Sequence, residues 1–477
     1  MMFRPFALIV VIAAASGMLL AAPDEAPLIT PTVYVMQTPQ TPPQTEFSLT
    51  LSNPGAHPKI GVQEFGVSGP ALRAVADTIA SVLAADLEFE REFYVIDRKA
   101  SASLPKAATG ATLPFAQWTQ LGADLVLMAN VRETAGKLEV EVKLVGTRAP
   151  NEGRDGFSQT YGGCTAATPR FCAHSIADDM HDKLRSLKGV ARTRIAFSSD
   201  RDGEPMEGRP VPADEKGHGK AIFLMDYDGA QQRPYTFNKV INIGAAWGPD
   251  GRSLSWASYA SGYPDIYLSL LDGRPATRPA HGTDAVQNFL PAISPDGTKI
   301  AFMSNRAGPG NFDIWVIDRD GSNPRNITPG TPKTLEGAPT WSPTGAQIAF
   351  TSDRTGPPQI YVMNADGTGL NKIPCGPKCD RPAWSALGYI AYTLERPGGK
   401  DVSVTDLSKM EPRIITDGLG SNEQPTVSSN GRHIAFITSR WGNKQIATVD
   451  YDGKFLRQLT STGMNTYPNW SPAPGGR

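Results

Sequence analysis

Several things are scarce in this sequence, and each scarcity narrows the function. Its 477 residues include four cysteines and six histidines, and 46 Lys plus Arg nearly cancel 47 Asp plus Glu, leaving a formal charge of −1. A surface built for nucleic acid leaves a basic excess, so no nucleic-acid partner is expected. Beyond the first 22 residues no stretch approaches the roughly 20 apolar residues of a spanning helix, so no direct membrane span is expected in the mature chain. The G-x-S-x-G elbow, H-E-x-x-H and the P-loop are all absent, which argues against hydrolase, metalloprotease and nucleotide chemistry. The histidines, at 57, 174, 181, 218, 281 and 433, are scattered. His174 and His181 share a helix face without a third ligand and read as surface residues rather than metal ligands. No catalytic residue, metal or cofactor is expected, and the chain reads as a binding protein and a monomer.

What is abundant is glycine and proline, 47 and 41 residues, the currency of tight turns between short strands. The chain opens Met1-Met2-Phe3-Arg4-Pro5, runs apolar from Phe6 to Leu20 and ends that run in Ala21-Ala22. One positive charge, a short apolar stretch and small residues describe a signal peptide over 1–22, cleaved on export. In an exported chain an even cysteine count favours local disulfides, Cys164 with Cys172 and Cys375 with Cys379. The spacing does not suit a zinc ribbon, and the pairs fall in different domains.

Residues 23–45, with six prolines among Thr and Gln, form a Pro-rich extension rather than a domain. From Lys59 the pattern changes. Ile60 to Phe65 reads as a strand, and Leu72, Val75, Ile79, Val82 and Leu83 recur at helical spacing behind Pro70. Phe93 to Ile96 reads as a second strand, Phe115 to Leu121 as a short helix and Leu125 to Val131 as a third strand. Leu138, Val140, Val142 and Leu144 alternate as one face of a half-buried strand. A last helix is expected over about Ile176 to Leu187. Together these make a small α/β domain over 46–190.

From residue 191 to the end, the chain repeats itself. Ile300-Ala301-Phe302-Met303-Ser304-Asn305-Arg306 recurs from Ile195, Ile348 and Ile434, with looser copies from Leu254 and Ile390. From Leu254 the successive spacings are 46, 48, 42 and 44 residues, the size of a propeller blade. Each unit also carries a P-x-W-S-P type strand, with Trp247, Ile293, Trp341, Trp384, Val427 or Trp470 at its large position. Both strand types have six copies, but the copies of the second begin at Ile195 and those of the first at Trp247. The strand at Trp470 is therefore expected to complete the first blade and close a six-bladed ring. Pro-Asp-Gly type turns join strands one to two and Asp-Gly turns join strands three to four, which puts the tight turns on one rim. The variable connections lie on the other rim, where recognition is expected. The Ser-Asp-Arg that ends strand two in several blades is read as interblade hydrogen bonding, because an active site is needed once.

At these repeats, and at Leu187-Lys188-Gly189-Val190-Ala191-Arg192-Thr193-Arg194-Ile195-Ala196, the chain resembles the TolB family of periplasmic propellers in the Tol–Pal cell-envelope system. Trp118, Leu121-Gly122-Ala123-Asp124 and Ile96-Asp97-Arg98 match that family's N-terminal domain. The resemblance implies a periplasmic adaptor that supports outer-membrane integrity, cell division and protein import. In such proteins a short arm binds TolA, and Glu46, Phe47, Ser48, Leu49, Thr50, Leu51 and Ser52 occupy its place with the alternation an added strand needs. The peptidoglycan-associated lipoprotein docks at the channel mouth. Mapped here, the mouth is formed by connections just before each strand one: Gly244 and Ala245, Asn288 and Phe289, Glu336, Gly337 and Ala338, Asp380 and Arg381, Glu423 and Gln424, Thr466 and Tyr467. A propeller that binds a glycan or small ligand in the periplasm is the alternative reading.

Overall fold

The computed structural model describes residues 57–102, 104, 113–202, 219–330 and 333–474. The expected signal peptide, Pro-rich extension and arm, Glu46 to Ser52, lie outside the described residues. The first part of the fold is a mixed sheet of β1 (Lys59–Val62), β2 (Gly66–Val67), β3 (Tyr94–Val95), β4 (Leu125–Thr134), β5 (Lys137–Gly146) and β6 (Asp155–Cys164). Its order is β3-β1-β4-β5-β6, with β2 paired to β4 off that path. β1 runs parallel to β3 and β4, whereas β4, β5 and β6 are antiparallel. Leu138, Val140, Val142 and Leu144 face the core, as the alternation requires.

Helices α1 (Arg73–Phe89) and α4 (Pro169–Arg185) pack on this sheet; the short α2 (Arg98–Ser101) and α3 (Phe115–Gln120) lie between them in sequence. α1 buries Ala76, Ile79, Ala80, Val82, Leu83 and Leu87, a stripe at helical spacing. α4 starts seven residues earlier than the apolar periodicity predicts, with Pro169 in its first turn, where a missing N–H costs nothing. Cys164 at the end of β6 is bonded to Cys172 on α4, with Cα atoms 5.9 Å apart. Cys375 and Cys379, 6.2 Å apart, are likewise joined, at the entry to the fifth blade.

The rest is a six-bladed β-propeller of four-stranded antiparallel sheets. Blade 1 is assembled from the two ends of this part of the chain: Asn465–Trp470 lies beside Arg194–Ser199, then Ala221–Asp226 and Arg233–Pro234. Trp470 pairs with Ile195 and Asn465 with Ser199. The Trp470 indole donates to Thr193 Oγ1 at 2.7 Å, and Ser471 exchanges two hydrogen bonds with Arg194. The inner strands of blades 2 to 6 are Asn242–Trp247, Asn288–Ile293, Glu336–Trp341, Lys378–Trp384 and Asn422–Val427. Apolar layers between neighbouring blades form the core; Ile243 and Ile266 of blade 2, for example, share a cluster with Ile300 and Phe302 of blade 3.

Two expectations are corrected here. Ser304 and Arg306 both donate to Asn288, and Ser352 and Arg354 to Glu336, all on the inner strand of the same blade. The repeated Ser and Arg therefore fasten strands within a blade, not between blades. His174 and His181 are buried, 4% and 1% exposed, because α4 packs against both α1 and the propeller.

Candidate functional site

Up-and-down strand order puts the turns between strands one and two, and between three and four, on one rim. That rim is occupied at blades 6 and 1 by the ends of α1 and α4. Glu90, just past α1, accepts from Asn430 in a tight turn of blade 6, and also contacts His433 at 3.1 Å. His433 Nδ1 lies 2.9 Å from Asp450, which also binds Arg91 at 2.5 Å. Glu92 bridges Arg185 of α4 and Arg432 of blade 6. On the blade 1 side, Arg170 reaches Asp226 and Asp228, and Tyr227 donates to Asp86 of α1 at 2.6 Å. Phe89 sits among these charges against Tyr227, His433 and Arg457. One apolar cluster runs unbroken from α1 and α4 into blades 6 and 1.

His433, His174 and Asp450 are buried, so their partners decide their protonation. Burial alone would lower His433, but Asp450 and Glu90 outweigh it and raise its pKa. His174 is likewise lowered by burial and raised more strongly by Asp226 and Asp86, to about 9. Burial would raise Asp450, yet His433 and Arg91 hold it below the usual carboxylate range. The segment entering blade 1 is equally fixed: Asp178 of α4 accepts from the backbone of Ala191 and Arg192 and from the Arg192 side chain. A side chain at Gly189 would collide with Asp178.

The opposite rim is free of these helices. The residues expected at its mouth are not connections, as the sequence reading placed them. They lie inside the inner strands, because each inner strand begins at that rim with a bulge. At every bulge one residue is left-handed: Gly244, Leu290, Ala338, Arg381, Gln424 and Tyr467, with φ between 50° and 64°. Asn288 and Glu336 are wholly buried and engaged by strand-two residues, and Gly244, Ala245, Gly337 and Thr466 are buried too. Phe289, Ala338, Asp380, Arg381, Glu423, Gln424 and Tyr467 remain partly exposed. Three of them meet: the Arg381 guanidinium lies 4.9 Å over the Tyr467 ring, and Tyr467 N–H donates to Gln424 Oε1 at 2.7 Å. Asp380 accepts from Thr351 and from the Arg381 N–H, and Glu423 binds Lys400 and Ser421.

Sequence reasoning missed the apolar side chains that ring this rim. Phe237 is 81% exposed, Leu419 62%, and Tyr263, Leu335, Trp441 and Met464 are also exposed. All lie in blade connections or in turns between strands two and three. At the other end of the channel, a cavity of about 360 Å³ is lined by Trp341, Trp384 and Trp470 with Pro339, Pro425 and Pro468, among others. Among the described residues, no group of three or more His, Cys, Asp or Glu side chains is set to hold a metal ion, and no helix is long and apolar enough to cross a membrane.

The family model described as the TolB beta propeller domain matches residues 181–474, and the TolB amino-terminal domain matches 52–152. The chain belongs to the TolB family. The Tol-Pal system protein TolB of Anaeromyxobacter dehalogenans (strain 2CP-C) is 32% identical over 285 residues, covering 59% of each chain. That of Desulfosudis oleivorans is 29% identical over 291 residues, or 58% of this chain and 59% of the relative. The chain thus spans about three-fifths of the length of the curated relatives it matches. The crystal structure of TolB from Acinetobacter baumannii superposes with a TM-score of 0.71 at 22% identity, covering 88% of this chain and 97% of that one. At that identity it speaks for the TolB fold alone.

Proposed function

We propose that the chain is a periplasmic, non-catalytic adaptor of the Tol–Pal system, acting as a monomer. Its propeller docks the peptidoglycan-associated lipoprotein at the rim opposite α1 and α4, and the arm from Glu46 to Ser52 engages TolA. This coupling supports outer-membrane integrity and cell division. The observation that carries the reading is the asymmetry of the two rims. One is covered at blades 6 and 1 by a buried ionic and apolar contact, while the other presents Arg381, Gln424 and Tyr467 in one preformed group. Around that group stand exposed aromatic and aliphatic side chains, the types that anchor protein interfaces. The family to which the chain belongs, and relatives named for the Tol-Pal system, support the choice of partners.

A second reading, a periplasmic glycan- or small-ligand-binding propeller, draws on the tryptophan-lined cavity at the other end of the channel. Crosslinking in the intact envelope, with mass-spectrometric identification of partners, separates the two. Capture of the lipoprotein through the free rim supports the adaptor, whereas saturable glycan binding with no protein captured supports the alternative. Deleting residues 46–53 is expected to abolish TolA binding and spare lipoprotein binding; equal retention of both removes the arm from the account.

A further inference from the structure

At two of the joints between blades, the start of one blade's third strand faces the start of the next blade's inner strand through complementary polar groups. Between blades 5 and 6, Asn422 Nδ2 donates to Asp401 Oδ1 at 3.2 Å. Between blades 6 and 1, Asn465 Nδ2 donates to Gln445 Oε1 at 2.8 Å. Asp265, the corresponding acid of blade 2, has both oxygens engaged, by Gly282 N–H on one and by Ser261 and Arg278 on the other.

The joint between blades 3 and 4 breaks the pattern, because there an acid faces an acid. Asp313 and Glu336 are both 0% exposed, and their segments are tied by a Glu336 N–H to Phe312 C=O hydrogen bond of 2.8 Å. Each carboxylate is satisfied on one side only. Asp313 Oδ2 accepts from Asn311 Nδ2 at 3.0 Å and Asn326 Nδ2 at 2.9 Å. Glu336 Oε1 accepts from Ser352 Oγ at 3.2 Å and from Arg354. Asp313 Oδ1, Glu336 Oε2 and Asn311 Oδ1 are cut off from solvent and have no hydrogen-bond partner. Buried acceptors left bare in this way are rare and call for something to meet them. A proton shared by the two carboxyls would serve two of these oxygens and leave the third. A cation serves all three.

The donor set is all oxygen, with two carboxylates and one amide, and Arg354 offsets part of the negative charge. Hard divalent cations prefer such sets, and Ca²⁺ tolerates irregular ones completed by backbone carbonyls and water. We propose that Asp313, Glu336 and Asn311 form a Ca²⁺ site that clamps blade 3 to blade 4. None of the three lines the channel cavity, so the site is distinct from it.

The test titrates the chelator-stripped full chain with CaCl₂ by calorimetry, alongside thermal unfolding with and without calcium. The expected result is saturable binding of one Ca²⁺ per chain, with a Kd on the order of 10⁻⁴–10⁻³ M as in exported calcium modules, and a higher Tm in calcium. Glu336→Gln restores the amide found at neighbouring joints. It is expected to keep or raise the calcium-free Tm while weakening binding at least tenfold, and Asp313→Asn should weaken binding similarly. Absence of saturable heat and of any Tm change at ~10 mM Ca²⁺ overturns the proposal in favour of a shared proton. Wild-type binding in both variants overturns it as well.

Discussion

Replacing His174 by Gln removes one of the two histidines that tie α1 and α4 to the propeller, and its effect is expected to depend on pH. His174 Nδ1 lies 2.8 Å from Asp86 of α1, and Nε2 lies 3.6 Å from Asp226 of blade 1. Arg170 on the same helix is 3.5 Å from Nε2, and the Tyr227 ring packs edge-on. Burial opposes the charged imidazole, but the two carboxylates prevail and raise its pKa from 6.5 to about 9. Because the folded value exceeds the unfolded one, the stabilisation is complete below pH 6.5 and is lost as pH rises through about 9. That displacement is worth roughly 3 kcal/mol. Urea unfolding of both proteins at about pH 6 and about pH 9.5 measures it. The wild type is expected to lose roughly 3 kcal/mol more than His174→Gln across that interval. His433, also raised by its carboxylate partners, contributes in both proteins and cancels in the comparison. Equal losses would refute the assignment of charge to His174.

Trp470→Ala removes a buried indole and its bond to Thr193; it is expected to cost about 3–5 kcal/mol and to expose blade 1 to limited proteolysis. Gly273 and Gly321 both occupy left-handed turns, but a Cβ at Gly321 would lie 2.6 Å from the Pro279 carbonyl oxygen, whereas Gly273 has open space. Gly273→Ala is expected to cost about 1 kcal/mol from backbone strain, and Gly321→Ala at least twice as much in the same unfolding assay. Replacing Cys164 and Cys172 by Ser frees an eight-residue link between β6 and α4 and is expected to lower stability by about 2.5 kcal/mol in the chain-entropy view.

The propeller was legible because repetition does not depend on any single residue. Six copies of one strand offset from six of another suffice to place Trp470 beside Ile195. The strand β6 was not legible: Gly162 and Gly163 interrupt its alternation, and of its ten residues only Phe157, Tyr161 and Cys164 are buried. The contact between α1, α4 and blades 6 and 1 was equally hidden. Glu90 and His433 are 343 residues apart, and nothing local marks either as a partner. The mouth was partly legible. The repeats led to the start of each inner strand, but the bulge that carries Arg381, Gln424 and Tyr467 into left-handed backbone leaves no period-two signature. The buried pair Asp313 and Glu336 looks like ordinary blade sequence until the joints are compared in space.

The rim opposite α1 and α4 is expected to receive the partner. Hydrogen–deuterium exchange of the full chain, with and without saturating peptidoglycan-associated lipoprotein, reads this directly. The expected result is slowed exchange in peptides spanning Asp380 to Pro382, Glu423 to Pro425 and Thr466 to Pro468, with the tight turns at Pro249 to Arg252 and Pro343 to Ala346 unchanged. Protection confined to those tight turns, or none at all, would contradict it.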